Sequence, residues 1–267
     1  MTDIALITGA SSGLGAEFAR QLAAQGRDVA LVARSVGKLE ALAATLRERY
    51  GVRVEVIKQD LAEPDAAALV SGELAARALE VDLLVNNAGF GTCGRFEEIS
   101  AARDHEQLMV NVVALADLTH ALVPAMVRRG RGGVINVAST ASFQPAAYLA
   151  VYSSSKAFVL NFSLALWSEY HDRGVKVLAL CPGPVETAFF DVIGTRKAAI
   201  NGRMETPEKV VAKALRALER NQGYVVPGLS NFASAHLQPR RPRTMIARLS
   251  RLFTRGVLAT SSLQTTS

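Results

Sequence analysis

Apolar positions along the chain change period again and again, and the changes mark out elements. Residues 4–7 form a short apolar run that ends at Thr8 and a glycine-rich turn. Phe18, Leu22 and Ala23 then recur on one helical face up to Gly26. Residues 28–33 make a second apolar run, and Leu39, Leu42 and Leu46 return at helical spacing as far as Tyr50. Val52, Val54 and Val56 alternate as in a strand, and Pro64 stands where a first helical turn would begin. Further on, the pattern predicts strands at 81–85, 133–137 and 175–180, with helices at about 101–129 and 151–172 between them. Strand alternates with helix throughout, which predicts an α/β fold: a doubly wound parallel sheet with helices on both faces.

Length and composition fit this picture. A chain of 267 residues suits one such domain, and 49% hydrophobic with 20% charged residues excludes a disordered or collagen-like chain. Cys93 and Cys181 stand far apart without nearby Cys or His, so neither a disulfide framework nor a cysteine metal site is expected. The four histidines have no ligand spacing, and no catalytic metal is predicted. The best candidate for a membrane span, residues 111–127, is broken by Asp117, His120 and Pro124. With Asp3 near the start and no basic-then-apolar leader, a soluble protein of the reducing cytoplasm is the expectation.

The net charge of +6 changes meaning once it is located. Arg240, Arg241, Arg243, Arg248, Arg251 and Arg255 fall in one short stretch without an acid, and removing them leaves the rest of the chain neutral. The basicity belongs to the tail, and a nucleic-acid-binding surface on the globule is not implied. The chain therefore divides into a single main domain at 1–230 and a basic, partly helical extension at 231–267. In that extension Met245, Ile246, Leu249, Leu252 and Phe253 recur at helical spacing, after Pro239 and Pro242. Such a helix can dock on its own globule, sit between subunits, or make peripheral contact with an anionic membrane.

Two clusters carry chemistry. Gly9, Gly13 and Gly15 lie between the first strand and the first helix, where glycines let backbone N–H groups approach a phosphate at a helix N-terminus. At the end of the second strand an acid would suit the ribose 2′-hydroxyl of NAD. Here stands Arg34, followed by Lys38, which suits the 2′-phosphate, so NADP(H) is favoured over NAD(H). The second cluster is Tyr152 and Lys156, four residues apart and so on one helical face. An ammonium beside a phenol is expected to lower the phenol's pKa toward working range and make it a proton donor and acceptor for a carbonyl/alcohol couple. Ser139, at the end of the strand before, can hydrogen-bond a developing alkoxide; it could equally be a loop or capping hydroxyl.

These motifs occur in one order: Thr8-Gly-x-x-x-Gly13-x-Gly15, Asp60-Leu61, Asn86-Asn87-Ala88-Gly89, Asn111, Ser139, Tyr152-x-x-x-Lys156, and Pro182-Gly183 with Thr187. In this the chain resembles the single-domain, NADP(H)-preferring short-chain dehydrogenases/reductases over about residues 3–227, which implies a Rossmann-like fold. The resemblance implies a catalytic tetrad of Asn111, Ser139, Tyr152 and Lys156, with Lys156 also on the nicotinamide ribose and Asn111 supporting a water relay. It implies cofactor contacts from Gly9, Ser11, Ser12, Gly13, Leu14, Gly15 and Arg34, then Asp60, Leu61, Asn87, Ala88 and Gly89. Pro182, Gly183, Val185 and Thr187 complete that set, beside Tyr152 and Lys156. It also implies a homo-oligomer formed through two long helices, and a small-molecule carbonyl or alcohol as substrate.

A dinucleotide-sensing protein without catalysis would be marked by loss of the tyrosine or lysine, and both are present. An epimerase or dehydratase of the extended relatives would carry a different glycine spacing and a larger C-terminal region. For the substrate, Phe90, Phe143, Tyr148, Phe189 and Phe190 are expected near the pocket, with residues 185–203 over it; such walls would favour a bulky apolar ketone or aldehyde.

Overall fold

The computed structural model describes residues 2–187, 204–237, 240 and 242–261. Seven strands form one parallel sheet in the order β3-β2-β1-β4-β5-β6-β7. In chain order the elements begin with β1 (Thr2–Thr8), α1 (Gly13–Ala24), β2 (Val29–Ala33), α2 (Val36–Tyr50) and β3 (Val54–Lys58). There follow α3 (Ala66–Ala76), β4 (Leu79–Asn86), α4 (Ala101–Leu108), α5 (Ala114–Arg129), β5 (Gly132–Val137), α6 (Ala150–Glu169) and β6 (Val175–Leu180). The described chain ends with α7 (Pro207–Glu219), β7 (Tyr224–Val225), α8 (Leu229–Leu237) and α9 (Arg243–Ser261).

The sheet is buried on both faces, which is why its strands read as continuous apolar runs. Ala5 and Ile7 of β1 point to one layer, with Phe18, Leu22, Leu39 and Leu46 from α1 and α2. Ile4 and Leu6 point to the other, with Val70, Leu118 and Met126 from α3 and α5. The helical stretch Ala101–Arg129 is long and apolar enough to cross a membrane by composition. Its apolar stripe, Leu118, Val123 and Met126, is spent on the sheet instead. A π-helical turn, Met109–Val113, joins α4 to α5. Helix α3 starts at Ala66, two residues later than Pro64 predicts, because the Ala66 N–H first closes a turn onto the Glu63 carbonyl at 3.2 Å.

A polar ladder crosses the otherwise apolar centre. Asn86 of β4 donates to Asn136 Oδ1 of β5 at 2.9 Å and to Thr119 Oγ1 of α5 at 3.0 Å. Asn136 in turn donates to Ser163 Oγ of α6 at 3.0 Å. All four side chains are buried, so each bond stands between a polar group and a desolvation penalty. Asn136→Ala removes one partner each from Asn86, which keeps Thr119, and from Ser163, which keeps the Val159 carbonyl, and is expected to cost about 1–3 kcal/mol. Urea denaturation checks it; a change below about 0.5 kcal/mol would show that the ladder contributes nothing net.

Candidate active site

In an open parallel sheet, ligands bind beyond the carboxyl ends of the strands where the strand order reverses. Here that point lies between β1 and β4, and a cleft of about 730 Å³ opens there. The two strand ends are stitched together. Thr8 Oγ1 accepts the N–H groups of Asn87 and Ala88, both at 3.0 Å, and Asn87 Nδ2 donates to the Thr8 carbonyl at 2.9 Å. A side chain at Gly15 would put its Cβ 2.4 Å from the Gly9 carbonyl oxygen and 2.5 Å from Asn87 Nδ2. Gly15 therefore seats α1 against the turn and, unlike Gly9, Ser11, Ser12, Gly13 and Leu14, does not line the cleft. Helix α1 begins at this wall with no side-chain cap on its first amides and no acid in its first turn, a setting that suits a phosphate.

At the end of β2, Arg34 lies 3.5 Å from Asp60 Oδ2 and 3.4 Å from Glu106 Oε1, with its side chain 62% exposed. Pairs this exposed are worth at most about 1 kcal/mol, so a phosphate can compete for the guanidinium. Asp60 Oδ1 also accepts the Ala62 N–H at 3.0 Å, which fixes the turn that carries Leu61 into the lining. Arg103 pairs with Glu106 and stacks 4.0 Å above the Phe90 ring. Neither Arg103 nor Glu106 emerges from sequence reasoning, although 103, 106 and 110 recur on one face of α4 and its π-turn. Lys38 does not line the cleft.

Asn111 sits inside the π-turn, a local widening of the helix that is common at functional sites. Its amide is pinned on three sides: Nδ2 donates to the Phe90 carbonyl at 2.9 Å and to Ser155 Oγ at 3.1 Å, and Oδ1 accepts the Phe90 N–H at 3.1 Å. It stands behind Ala88 and Gly89, which line the cleft, and does not line it itself. Lys156 Nζ donates to the Val137 carbonyl at 2.8 Å. Ser139 caps the short 3₁₀ turn at Thr140–Phe143, its Oγ accepting the Ala141 N–H at 3.1 Å, and it also hydrogen-bonds the Tyr152 phenol. The capping role and the chemical role coincide in one hydroxyl.

The electrostatics correct one expectation. Burial pushes the Tyr152 phenol up to about 12, with the hydrogen bond from Ser139 acting the other way. Burial also brings Lys156 down to about 8. The lysine does not lower the phenol directly: Nζ is 6.0 Å from the ring centroid and its hydrogen bond goes to Val137. Desolvation dominates both groups, so the free protein holds a neutral phenol.

The far wall comes from the C-terminal part of the chain. Pro182, Gly183, Val185 and Thr187 line the cleft, and a Cβ at Gly183 would lie 2.4 Å from the Asn231 amide. Asn231 and Ser234 of α8 and Ile246, Leu249, Ser250 and Thr254 of α9 share the same lining, across the boundary drawn at residue 230. Helical spacing reveals the apolar stripe of α9 but not what it faces. Phe90 lines the cleft, whereas Phe143 packs with Tyr224 and His236, and Tyr148 lies outside the lining. Phe143 turns away because the 3₁₀ turn directs it into the apolar cluster with Val159 and Val226. Phe189 and Phe190, with most of residues 185–203, lie outside the described residues.

A comparison with known families matches residues 3–198 to the short chain dehydrogenase profile. The chain belongs to the short-chain dehydrogenase/reductase family. Human very-long-chain 3-oxoacyl-CoA reductase is 29% identical over 240 residues, 87% of this chain and 75% of that protein. A short-chain dehydrogenase from Sphingobium yanoikuyae, solved in complex with NADPH, superposes with a TM-score of 0.80 at 34% identity, covering 87% of this chain and 90% of that one. The bulky-bulky ketone specific alcohol dehydrogenase from Comamonas testosteroni gives 0.75 at 30% identity, covering 85% and 86%. The family's motifs thus meet in one cleft here, with Gly15 and Asn111 supporting it from behind. Among the described residues, no group of three His, Cys, Asp or Glu side chains is placed to hold a metal.

The buried phenol makes a spectroscopic prediction. Without nucleotide, the difference in absorbance between the protein and its Tyr152→Phe variant should show no phenolate between about pH 7 and 10, because Tyr152 titrates near 12. A midpoint near neutrality would mean that Lys156 controls the phenol directly.

Proposed function

We propose that this protein is an NADP(H)-dependent carbonyl reductase, able to oxidise the matching alcohol, and that its substrate is a bulky apolar ketone or aldehyde. The observation that carries the reading is the Tyr152 phenol, kept protonated by burial and hydrogen-bonded to Ser139 at the wall of a cleft that begins at a phosphate-binding helix terminus. The residues present fit a dinucleotide: glycines and bare amides at α1, Asp60 and Leu61 beside Arg34, and Tyr152, Lys156 and Thr187 further along the same lining. When bound, the nicotinamide supplies or takes up the hydride at the substrate's carbonyl carbon.

In reduction, Tyr152 gives its proton to the carbonyl oxygen while Ser139 hydrogen-bonds the same oxygen. Ser139, whose hydrogen bond favours the charged phenol, steadies the tyrosinate left behind. Lys156, positively charged below about pH 8 and tethered to the Val137 carbonyl, would hold the nicotinamide ribose. Asn111, bonded to Phe90 and Ser155, holds the turn beside Gly89 in place for this exchange. Arg34 takes the 2′-phosphate, an assignment supported by the absence of an acid at the end of β2 and by the NADPH complex of the Sphingobium relative. The substrate class is supported by the wall. Leu149, Ile246 and Leu249 are apolar, and among the described residues α8 and α9 contribute no charged side chain to the lining. The relative from Comamonas testosteroni named as a bulky-bulky ketone specific alcohol dehydrogenase supports it.

A screen of ketones and aldehydes, followed by NADPH absorbance, identifies a substrate for the tests. On it, Tyr152→Phe should lose about 10²–10⁴ in turnover while NADPH still binds by fluorescence titration. Wild-type turnover in that variant would overturn the mechanism. Arg34→Asp should shift the preference from NADP(H) toward NAD(H), because a carboxylate repels the 2′-phosphate and accepts from a 2′-hydroxyl. Titration of both cofactors against both proteins decides it, and an unchanged affinity ratio would place the phosphate on other groups.

A further inference from the structure

Helix α9 has two unlike faces. Ile246, Leu249, Ser250 and Thr254 turn inward and line the cleft, and Ser250 Oγ ties the helix to the loop before α6 by accepting the Ala147 N–H at 3.1 Å. Ile246 and Thr254 are buried. On the opposite arc, Met245, Arg248, Arg251 and Leu252 are exposed, Leu252 to 67%. Arg240 and Arg243 precede them, also exposed, and no acid occurs in the chain after Glu219. Among the described residues none of these arginines stands in an ion pair, and Met245 and Leu252, two large apolar side chains, lie along their edge.

We propose that this outward face of α9 docks the enzyme on an anionic lipid surface, with the helix lying between the bilayer and the cleft. Arginines flanking an apolar edge on one helical arc match lipid headgroups above and acyl chains below. A second copy of the chain would present the same arginines, so a symmetric pairing on this face sets like charge against like. One consequence rests on the substrate class proposed above: an apolar carbonyl compound dissolved in the membrane meets the cleft across a single helix. The docking itself does not rest on that reading, and its test reads partition and not turnover.

The full-length protein is co-sedimented with vesicles of phosphatidylcholine alone and of phosphatidylcholine mixed with phosphatidylglycerol, at low and high salt. The wild type should bind only the anionic vesicles and be released by salt. The double reversal Arg248→Glu/Arg251→Glu should partition about thirtyfold more weakly or worse, since each arginine near such a surface contributes about fivefold. Leu252→Asp should weaken binding as well. NADPH affinity should stay unchanged in both variants, because none of these side chains lines the cleft. Equal partition of the wild type and the double reversal would overturn the proposal, as would failure of the wild type to bind anionic vesicles. A salt-resistant dimer that Leu252→Asp dissociates would overturn it too, by showing that the face pairs copies of the chain.

Discussion

The close approach of two strand ends is the constraint from which the rest of the molecule follows. Where β1 and β4 finish, the Thr8 hydroxyl takes two backbone N–H groups from the neighbouring strand end, and the Asn87 amide returns the bond to Thr8. The Gly9 turn is thereby pressed against Ala88, and α1 can start only where Gly15 leaves room for it. One set of short contacts therefore fixes the phosphate cradle, the helix behind it and the bend that brings Gly89 beside Asn111. The sheet supplies rigidity, and this seam converts it into position.

At the other end of the cleft, position is maintained by burial. Lys156 and Tyr152 are both withdrawn from water, and both titrate away from their ordinary values in the direction of the uncharged form. The lysine, on the same helix as the phenol, is tethered to the end of β5 through Val137, so its ammonium is fixed between α6 and the sheet. Ser142 adds a further tie, donating from the 3₁₀ turn to the Lys156 carbonyl at 2.7 Å. The strand that leads into Ser139 and the helix that carries the tyrosine–lysine pair are thus locked together before any ligand arrives.

Much of this was legible in the order of residues because the signals are local. A strand, three glycines and a helix describe a turn wherever they occur, and Tyr152 with Lys156 shares a face in any helix. The contributions that escaped notice depend on distant segments meeting. Arg103 and Glu106 look like ordinary surface charges until Arg34 comes within 3.4 Å of Glu106. Asn231 looks like an unremarkable tail residue until it closes on Gly183. The charge state of the phenol is hidden from the sequence for a related reason: spacing on a helix shows proximity, while the balance of charge depends on how deeply both groups are buried.

The π-turn at Met109–Val113 acts as a phase-setter between two tasks. Wound as α-helix throughout, the same residues would turn α4 by about 100° relative to α5, one residue's worth of rotation. The half packed on the sheet is fixed by Leu118 and Met126, so the rotation would fall on Arg103 and Glu106 and swing them off the Arg34 edge of the cleft. A single surplus residue within the helix thus gears the nucleotide edge to the buried asparagine, and neither can be repositioned without the other.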